Sequence, residues 1–230
     1  MKKTTTKRIL SVIFLSCIEM SIIAKFIYTS NHYNIVPNFE NLAVQLLATI
    51  LYNIIIISPR IIIFIILYLY LKQDFKTEMM LQIKNESKKF VFIVGGIYSF
   101  IIIFSLFTNS DKISVLWNAF YYLFIIALPE ELFFRGVCPY LLKNCNKYSI
   151  YFVPNIMFAF SHIFAISGFG TITLNTIYVF FTFYFLQYIL FGVLVQWLKM
   201  KTRTLWTSIL FHAILDFFIL FSMNFPFGST

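Results

Sequence analysis

Residues 114–134 read SVLWNAFYYLFIIALPEELFF, an apolar run that carries two adjacent glutamates, Glu130 and Glu131, near its end. The run is long enough to cross a membrane as one helix, because about 20 apolar residues span the hydrocarbon core. An ionised side chain at the centre of a membrane helix costs about 2.5–3.5 kcal/mol on insertion scales. The stretch therefore indicates a membrane helix, and its paired carboxylates mark a candidate functional site.

The rest of the chain has the same apolar character. Of its 230 residues, 60% are hydrophobic and 30 are phenylalanine, and the mean hydropathy is +0.84. This composition predicts an all-α, polytopic transmembrane helical bundle with about seven spans rather than a soluble domain. We expect the spans at residues 9–29, 42–71, 90–107, 114–134, 150–166, 172–198 and 204–222.

The distribution of basic residues predicts the orientation of the bundle. If 42–71 is one helix bent near Pro59, 15 of the 18 lysines and arginines fall on the side of the N-terminus. The positive-inside rule then places the N-terminus in the cytoplasm and the C-terminus outside. Splitting that segment into two spans would move the downstream basic residues outside. Topology thus explains the net charge of +9, and we expect no nucleic-acid partner.

The chain divides into two predicted regions. Residues 1–112 hold the N-terminal membrane helices and a cytoplasmic loop, and residues 113–222 hold the polar motifs. Within the loop, the segment from Lys76 to Lys89 mixes charged residues with methionine, leucine and isoleucine. This segment predicts either an amphipathic helix at the membrane surface or a solvated connector held near anionic lipid.

Helical spacing assigns different roles to the two glutamates. If residues 128–142 are helical, Glu131 and Arg135 are four residues apart and can form an ion pair. Glu130 points about 100° away from Glu131 and can face a cavity. We therefore expect Glu130 to carry the chemistry, with Glu131 and Arg135 as supporting residues.

Two histidines lie in the apolar segments that come next in the chain. His162 shares a helical face with Phe158, and His212 shares one with Asp216. Measured from the nearest cytoplasmic basic residue, the helical rise places Glu130 roughly 20 Å, His162 roughly 22 Å and His212 roughly 14 Å into the membrane. A shared water-filled cavity that opens to the cytoplasm is therefore geometrically possible.

A carboxylate and two histidines suit hydrolysis of a peptide or other acyl bond. Glu130 can act as a general base toward water, and the histidines can hold that water or donate to an oxyanion. Glu130, His162 and His212 are also an acceptable ligand set for one divalent metal such as zinc, with an open fourth position. The structural alternative is that these groups only join helices by ion pairs and hydrogen bonds. From the residues, metal-dependent and glutamate-dependent routes both stay open.

The motifs in residues 113–222 resemble those of the CPBP intramembrane proteases, also called the Abi family. This family includes CAAX-prenyl endopeptidases and bacteriocin-processing or immunity proteins. Its pattern is EExxxR, then FxxxH, then HxxxN or HxxxD, each on a membrane helix. Here the pattern reads EELFFR at 130–135, FAFSH at 158–162 and HAILD at 212–216. The resemblance identifies residues 113–222 as a CPBP/Abi-like protease core.

The resemblance implies an intramembrane endopeptidase whose site faces the cytoplasm. Glu130 and His162 would activate water, and His212 and Asp216 would stabilise the oxyanion. Many members have asparagine at the last position, whereas an ionised Asp216 cannot donate a hydrogen bond and would orient His212 or be protonated.

The implied partners are membrane lipid and a peptide or small membrane-protein substrate, in a bacterial cell membrane crossed several times by the chain. No oligomeric state is predicted. One alternative is a non-catalytic bacteriocin self-immunity protein of the same fold. The other is a transporter or structural membrane protein whose buried charges only lock helices together.

Overall fold

The computed structural model describes residues 2–32, 51, 58–66, 68–70, 77, 79–109, 111–163 and 172–223. All regular secondary structure in these ranges is helical, which confirms the predicted all-α class. The long helices in the described ranges are α1 (Lys2–His32), α2 (Asn85–Thr108), α3 (Lys112–Leu141), α4 (Lys147–Ser161), α5 (Leu174–Thr202) and α6 (Leu205–Met223). The predicted bent span 42–71 lies mostly outside the described residues.

Side-chain caps fix where three of these helices begin. The Asp111 carboxylate accepts a hydrogen bond from the Ser114 backbone N–H at 3.0 Å, at the start of α3. The Asn146 side chain accepts one from the Ser149 backbone N–H at 2.8 Å, at the start of α4. Thr173 closes a capping box at the start of α5. Such caps satisfy backbone donors that the first helical turn leaves unpaired, and thereby define helix boundaries.

The helices α2, α3 and α5 are long and apolar enough to cross a membrane, as judged within the described residues. Only 11% of the most apolar window of α2 is buried inside the protein, and the same share holds for α5. Large apolar side chains on these helices therefore point outward, as lipid-facing residues do. The structure supports an integral membrane protein.

The described residues form two compact units, the first of which comprises residues 1–72 and 133–194. In this unit α1 packs against α4. The buried residues of its core come from α1, from the end of α3 and the residue after it, and from α4: Val12, Phe133, Phe134, Val137, Cys138, Leu142, Met157 and Phe158. The Phe134 and Phe158 rings meet edge to face with centroids 5.4 Å apart, a favoured aromatic geometry.

The second unit comprises residues 73–132 and 195–230. Here α6 packs against α2 and against the first part of α3. Its core consists of apolar residues from these helices: Tyr98, Val115, Ala119, Ala127, Leu205, Ile209, Ala213 and Phe217. The buried Tyr98 hydroxyl donates to the Ala119 carbonyl oxygen at 2.6 Å, which satisfies the one polar group on that side chain.

The predicted loop is a connector over residues 79–84. These residues form a turn followed by irregular backbone, so of the two alternatives for this segment the connector holds at 79–84. The backbone N–H of Leu205 donates to the Met80 carbonyl oxygen at 2.8 Å, and the Trp206 indole N–H donates to the Leu81 carbonyl oxygen at 3.0 Å. Tertiary hydrogen bonds to the start of α6 therefore replace the helical ones.

The helix α3 contains two π-helical segments, Tyr121–Ala127 and Leu132–Val137, on either side of the α-helical turn Leu128–Glu131. Pro129 has no N–H to donate to the Ile125 carbonyl, so an α-type hydrogen bond is unavailable at that point. A wider π turn accommodates the chain there, and such turns occur often at functional sites. The sequence predicts the helix but not this change in its winding.

Candidate active site

The paired glutamates lie inside the protein, on the α-helical turn between the two π segments of α3. The Glu131 side chain is 0% exposed and the Glu130 side chain is 11% exposed. Buried carboxylates need hydrogen-bond donors or cations nearby, because transferring an unpaired charge from water into the interior is very costly. The neighbours of these two side chains therefore define the site.

His212 on α6 is the common neighbour of the acidic side chains. Its Nδ1 lies 2.8 Å from Oε1 of Glu131, and its Nε2 lies 3.3 Å from Oδ2 of Asp216. The same Nε2 is 4.0 Å from Oε2 of Glu130. The structure thus brings together four of the predicted site residues, Glu130, Glu131, His212 and Asp216, all within the second unit.

The two ring nitrogens of His212 face carboxylate oxygens on opposite edges of the ring. An ionised carboxylate can only accept a hydrogen bond, so the ring satisfies both Glu131 and Asp216 when both nitrogens donate. The Glu131 contact is short, as expected for a charge-assisted hydrogen bond, and the Asp216 contact at 3.3 Å is longer. Asp216 is 26% exposed, so the Nε2 edge is the more open side of the ring.

Lys199 is a member of this cluster that sequence reasoning missed. The charge distribution places it among the cytoplasmic basic residues, yet it is only 3% exposed, and it interacts electrostatically with Glu131. Gln196, three residues earlier on α5, is also buried. Residues three apart share a helical face, so a polar pair at 196 and 199 in an otherwise apolar helix was the signal that could have found it.

His162 lies in the first unit, at the end of α4. Its Nδ1 is 2.9 Å from the Phe158 carbonyl oxygen, so this nitrogen carries a proton and donates. Its ring lies against the Phe158 and Tyr188 rings, with centroids 4.5 Å and 4.1 Å away. In the neutral ring, Nε2 is then left with a lone pair that can accept a hydrogen bond.

Arg135 also lies in the first unit and is completely buried. Its guanidinium carbon is 4.0 Å from the centroid of the Phe158 ring, which is a cation–π arrangement. Gly192 on α5 makes room for it, because a Cβ at that position would lie 2.9 Å from Nη2 of Arg135. The predicted ion pair with Glu131 stays a prediction.

Of the predicted metal ligands, Glu130 and His212 lie in the second unit and His162 lies in the first, so the three-ligand site stays a prediction. Across the described ranges, no three histidine, cysteine, aspartate or glutamate side chains are grouped so that they could hold a metal ion. In the second unit, the close neighbours of both His212 nitrogens are carboxylate oxygens. Metal-dependent and glutamate-dependent hydrolysis therefore both stay predictions.

Fold and site together define an integral membrane protein with a buried cluster of carboxylates around a histidine. Residues 112–218 match the family model described as Type II CAAX prenyl endopeptidase Rce1-like, and this range contains all the motif residues. This match supports the CAAX protease family that the motifs predicted. No curated protein and no solved structure gives a significant match.

Proposed function

We propose that the protein is an intramembrane endopeptidase that hydrolyses a peptide bond in a membrane-associated peptide or protein. The observation that carries this proposal is the convergence of Glu130, Glu131 and Asp216 on His212 in the interior of a CAAX-family membrane protein. Burying several charges is a costly way to join helices, whereas strongly perturbed titratable clusters are typical of catalytic sites.

In the proposed mechanism Glu130 is the general base. Its carboxylate takes a proton from water while the water oxygen attacks the scissile carbonyl carbon. The proposal also gives His162, as its motif implies, the role of holding that water. When the intermediate collapses, the C–N bond breaks and Glu130 returns the proton to the leaving amine nitrogen.

His212 and Asp216 support the oxyanion in this mechanism. The Nε2–H of His212 faces the partly exposed Asp216, and this contact at 3.3 Å is long enough to yield to a stronger acceptor. An ionised Asp216 cannot itself donate to the oxyanion, so it orients the ring. Glu131 holds the opposite edge through Nδ1 at 2.8 Å. Removing one oxyanion donor typically costs about 10²–10³ in kcat.

The proposal includes the topology that the charges predict, with about seven spans, a cytoplasmic N-terminus and an external C-terminus. In this arrangement the site opens to the cytoplasmic side of a bacterial cell membrane. The three apolar helices α2, α3 and α5 support it as three of the spans. A peptide that already lies in the membrane would reach the site without leaving lipid.

The test is cleavage of a probe by the full-length protein purified into lipid nanodiscs. The matching family model is that of prenyl endopeptidases, so the first probe is a fluorogenic farnesylated CAAX peptide, followed by its unprenylated counterpart. Glu130→Gln is the key variant, because it keeps the shape and removes the base. Glu86→Gln is the matched control, since that carboxylate forms only an exposed ion pair with Arg203.

We expect Glu130→Gln to lose at least about a hundredfold in kcat, the contribution of a positioned general base, while Glu86→Gln cleaves like the unaltered protein. Equal cleavage by both variants would contradict the proposal. A Glu130→Gln protein that unfolds at markedly lower temperature would indicate a structural role instead. Nothing in the described residues favours a role in bacteriocin immunity. That role would be indicated if the protein cleaves no probe and Glu130→Gln still protects cells from a bacteriocin.

A further inference from the structure

A cavity of about 290 Å³ lies within the second unit and shares no lining residue with the candidate active site. The described residues that line it are Thr77, Met80, Gln82, Lys84, Met200 and Arg203. They come from the connector and the residue just before it, from the last turn of α5, and from the turn between α5 and α6. The volume is close to the lower limit of about 300 Å³ that is typical of ligand sites, so the cavity suits one compact group.

The helix ends around the cavity place it at the membrane surface. Asn85 begins α2 and Thr202 ends α5, and both helices are long and apolar enough to cross a membrane. The ends of such helices lie where the hydrocarbon core meets water. The Trp206 indole, which donates to the Leu81 carbonyl oxygen, is a side chain that favours this interface. The cavity is therefore at the depth of the lipid headgroups.

The charge of the cavity selects an anion. Of the described side chains that line it, Lys84 and Arg203 are cationic and none is acidic. Nη1 of Arg203 donates to Oε2 of Glu86 at 3.1 Å, and a guanidinium has five N–H donors, so this one bond leaves capacity for an anion. Thr77 and Gln82 add neutral polar groups, with Nε2 of Gln82 donating to Oγ1 of Thr77 at 3.1 Å. Two cations beside polar groups match a phosphate, whose oxygens accept several hydrogen bonds.

The backbone around the cavity has an unusual conformation. Met80 and Arg203 each have a φ of 54°, and they are the two non-glycine residues with positive φ in the described ranges. Side chains other than glycine rarely adopt this left-handed region, and residues that do so cluster at functional sites. The Met80 carbonyl oxygen accepts from the Leu205 backbone N–H at 2.8 Å, which joins the connector to the start of α6. The backbone that forms the cavity is therefore fixed by tertiary contacts.

Two methionines make the cavity amphipathic. Met80 lines it from the connector, and Met200 lines it from the end of an apolar helix, where its side chain is 41% exposed. Methionine is flexible and adapts to irregular apolar shapes, such as the glycerol and first methylene groups of a lipid. A free phosphate would contact only the cationic and polar groups, whereas a phospholipid would contact both parts of the lining. The lining therefore favours a lipid as the source of the phosphate.

We propose that this cavity binds the phosphate group of an anionic phospholipid, with Lys84 and Arg203 as the charged contacts and the two methionines against the glycerol. The proposal does not rest on the endopeptidase function, because it uses no residue of the candidate active site. A soluble phosphate ester offers the same chemistry, and the test separates the two sources.

The test measures lipid binding to the full-length protein in detergent by native mass spectrometry. The anionic lipid is dioleoylphosphatidylglycerol, and the reference is dioleoylphosphatidylcholine, which has the same acyl chains and no net charge. We expect phosphatidylglycerol to fill one tight site that phosphatidylcholine does not fill. Glycerol phosphate is added in a competition arm. Retention of the lipid in its presence supports a lipid site, whereas displacement at equimolar concentration would overturn the lipid as the occupant.

Charge-removing variants separate the cavity from a general attraction to basic surfaces. Lys84→Gln and Arg203→Gln each remove a cation that lines the cavity. Lys88→Gln and Lys201→Gln are the matched controls, because each removes an exposed lysine within one turn of a cavity residue without lining the cavity. We expect each cavity variant to raise the Kd for phosphatidylglycerol about tenfold or more, the size of one lost hydrogen bond between charged groups. The controls should leave it nearly unchanged, and an equal loss in all four variants would overturn the proposal.

A neutral variant tests the cavity without changing its charge. Met200→Trp places a larger side chain at the lining, and Leu194→Trp is its control, because Leu194 is 43% exposed on the same helix and does not line the cavity. Met200→Trp should weaken phosphatidylglycerol binding and Leu194→Trp should not, so equal binding by both would refute the assignment. If Arg203→Gln does not fold, Lys84→Gln carries the charge test, because the Lys84 side chain is exposed and its carbonyl still accepts from Ser87.

Discussion

Substituting Gly192 by alanine should destabilise the first unit without removing a charged group. A Cβ at that position would lie 2.5 Å from Oδ1 of Asn155 and 2.9 Å from Nη2 of Arg135. Both distances are shorter than real Cβ contacts, so at least one neighbour must move. Neither moves freely, because Arg135 is completely buried against Phe158 and the Asn155 amide donates to the Tyr151 carbonyl at 2.6 Å.

The expected magnitude comes from overpacking a filled interior, which costs about 1–3 kcal/mol. For a chain of this length, each kcal/mol corresponds to roughly 2–4 °C in the unfolding midpoint. Gly96→Ala is the matched control, because a Cβ at Gly96 would meet nothing within 4 Å. Alanine has the higher helix propensity by about 1 kcal/mol, so the control should be neutral or slightly stabilising.

The assay is thermal unfolding of the full-length protein in one detergent, followed by tryptophan fluorescence for both variants side by side. Gly192→Ala should unfold at a lower temperature than the unaltered protein, and Gly96→Ala should not. If Gly192→Ala is as stable as Gly96→Ala, then Arg135 and Asn155 are not fixed as the structure places them. In that case the account of how Arg135 is held would have to be abandoned.

Substitutions at three further positions have defined expectations. Asp216→Asn should keep cleavage activity, because an amide can still accept from His212 and can also donate. Asp216→Leu can do neither, and it should lose about a hundredfold or more in kcat on the farnesylated CAAX peptide. Asp111→Ala removes the side-chain cap of α3, so it should lower the free energy of unfolding by about 1 kcal/mol in a denaturant titration. An unchanged unfolding midpoint would count against that cap. Glu86→Gln should change the free energy of unfolding by less than about 1 kcal/mol in the same titration, because Glu86 and its partner Arg203 are both exposed. A larger loss would mean that the two side chains do not form a surface ion pair.

Much of the fold follows from composition, since apolar segments of this length have few alternatives in lipid. The helical class and the caps at Asp111 and Asn146 are properties of local sequence. The loop over 79–84 is different, because its carbonyls are satisfied by Leu205 and Trp206, which lie more than a hundred residues away. No local pattern encodes such a partner.

The site was predictable in its residue types and less so in its contacts. Helical spacing correctly put Asp216 beside His212, four residues earlier on the same helix. The same reasoning paired Glu131 only with a residue on its own helix, whereas the structure shows that it meets His212 on α6. The inward turn of Lys199 rather than Lys201 depends on how α5 is rotated, and rotation is set by packing that a single sequence does not display.

The π segment Tyr121–Ala127 makes α3 respond differently to the loss and to the gain of a residue. A π turn holds more residues than an α turn, so a single-codon deletion in this segment can be absorbed by a return to α winding. Glu130 and Glu131 would then still face His212. An inserted residue cannot be absorbed in this way. It rotates the rest of the helix by about 100°, which turns both carboxylates away from His212. Deleting or inserting one apolar residue hardly changes the hydropathy of the helix. A difference in activity between the two variants would therefore report on the winding of α3 more directly than a point substitution does.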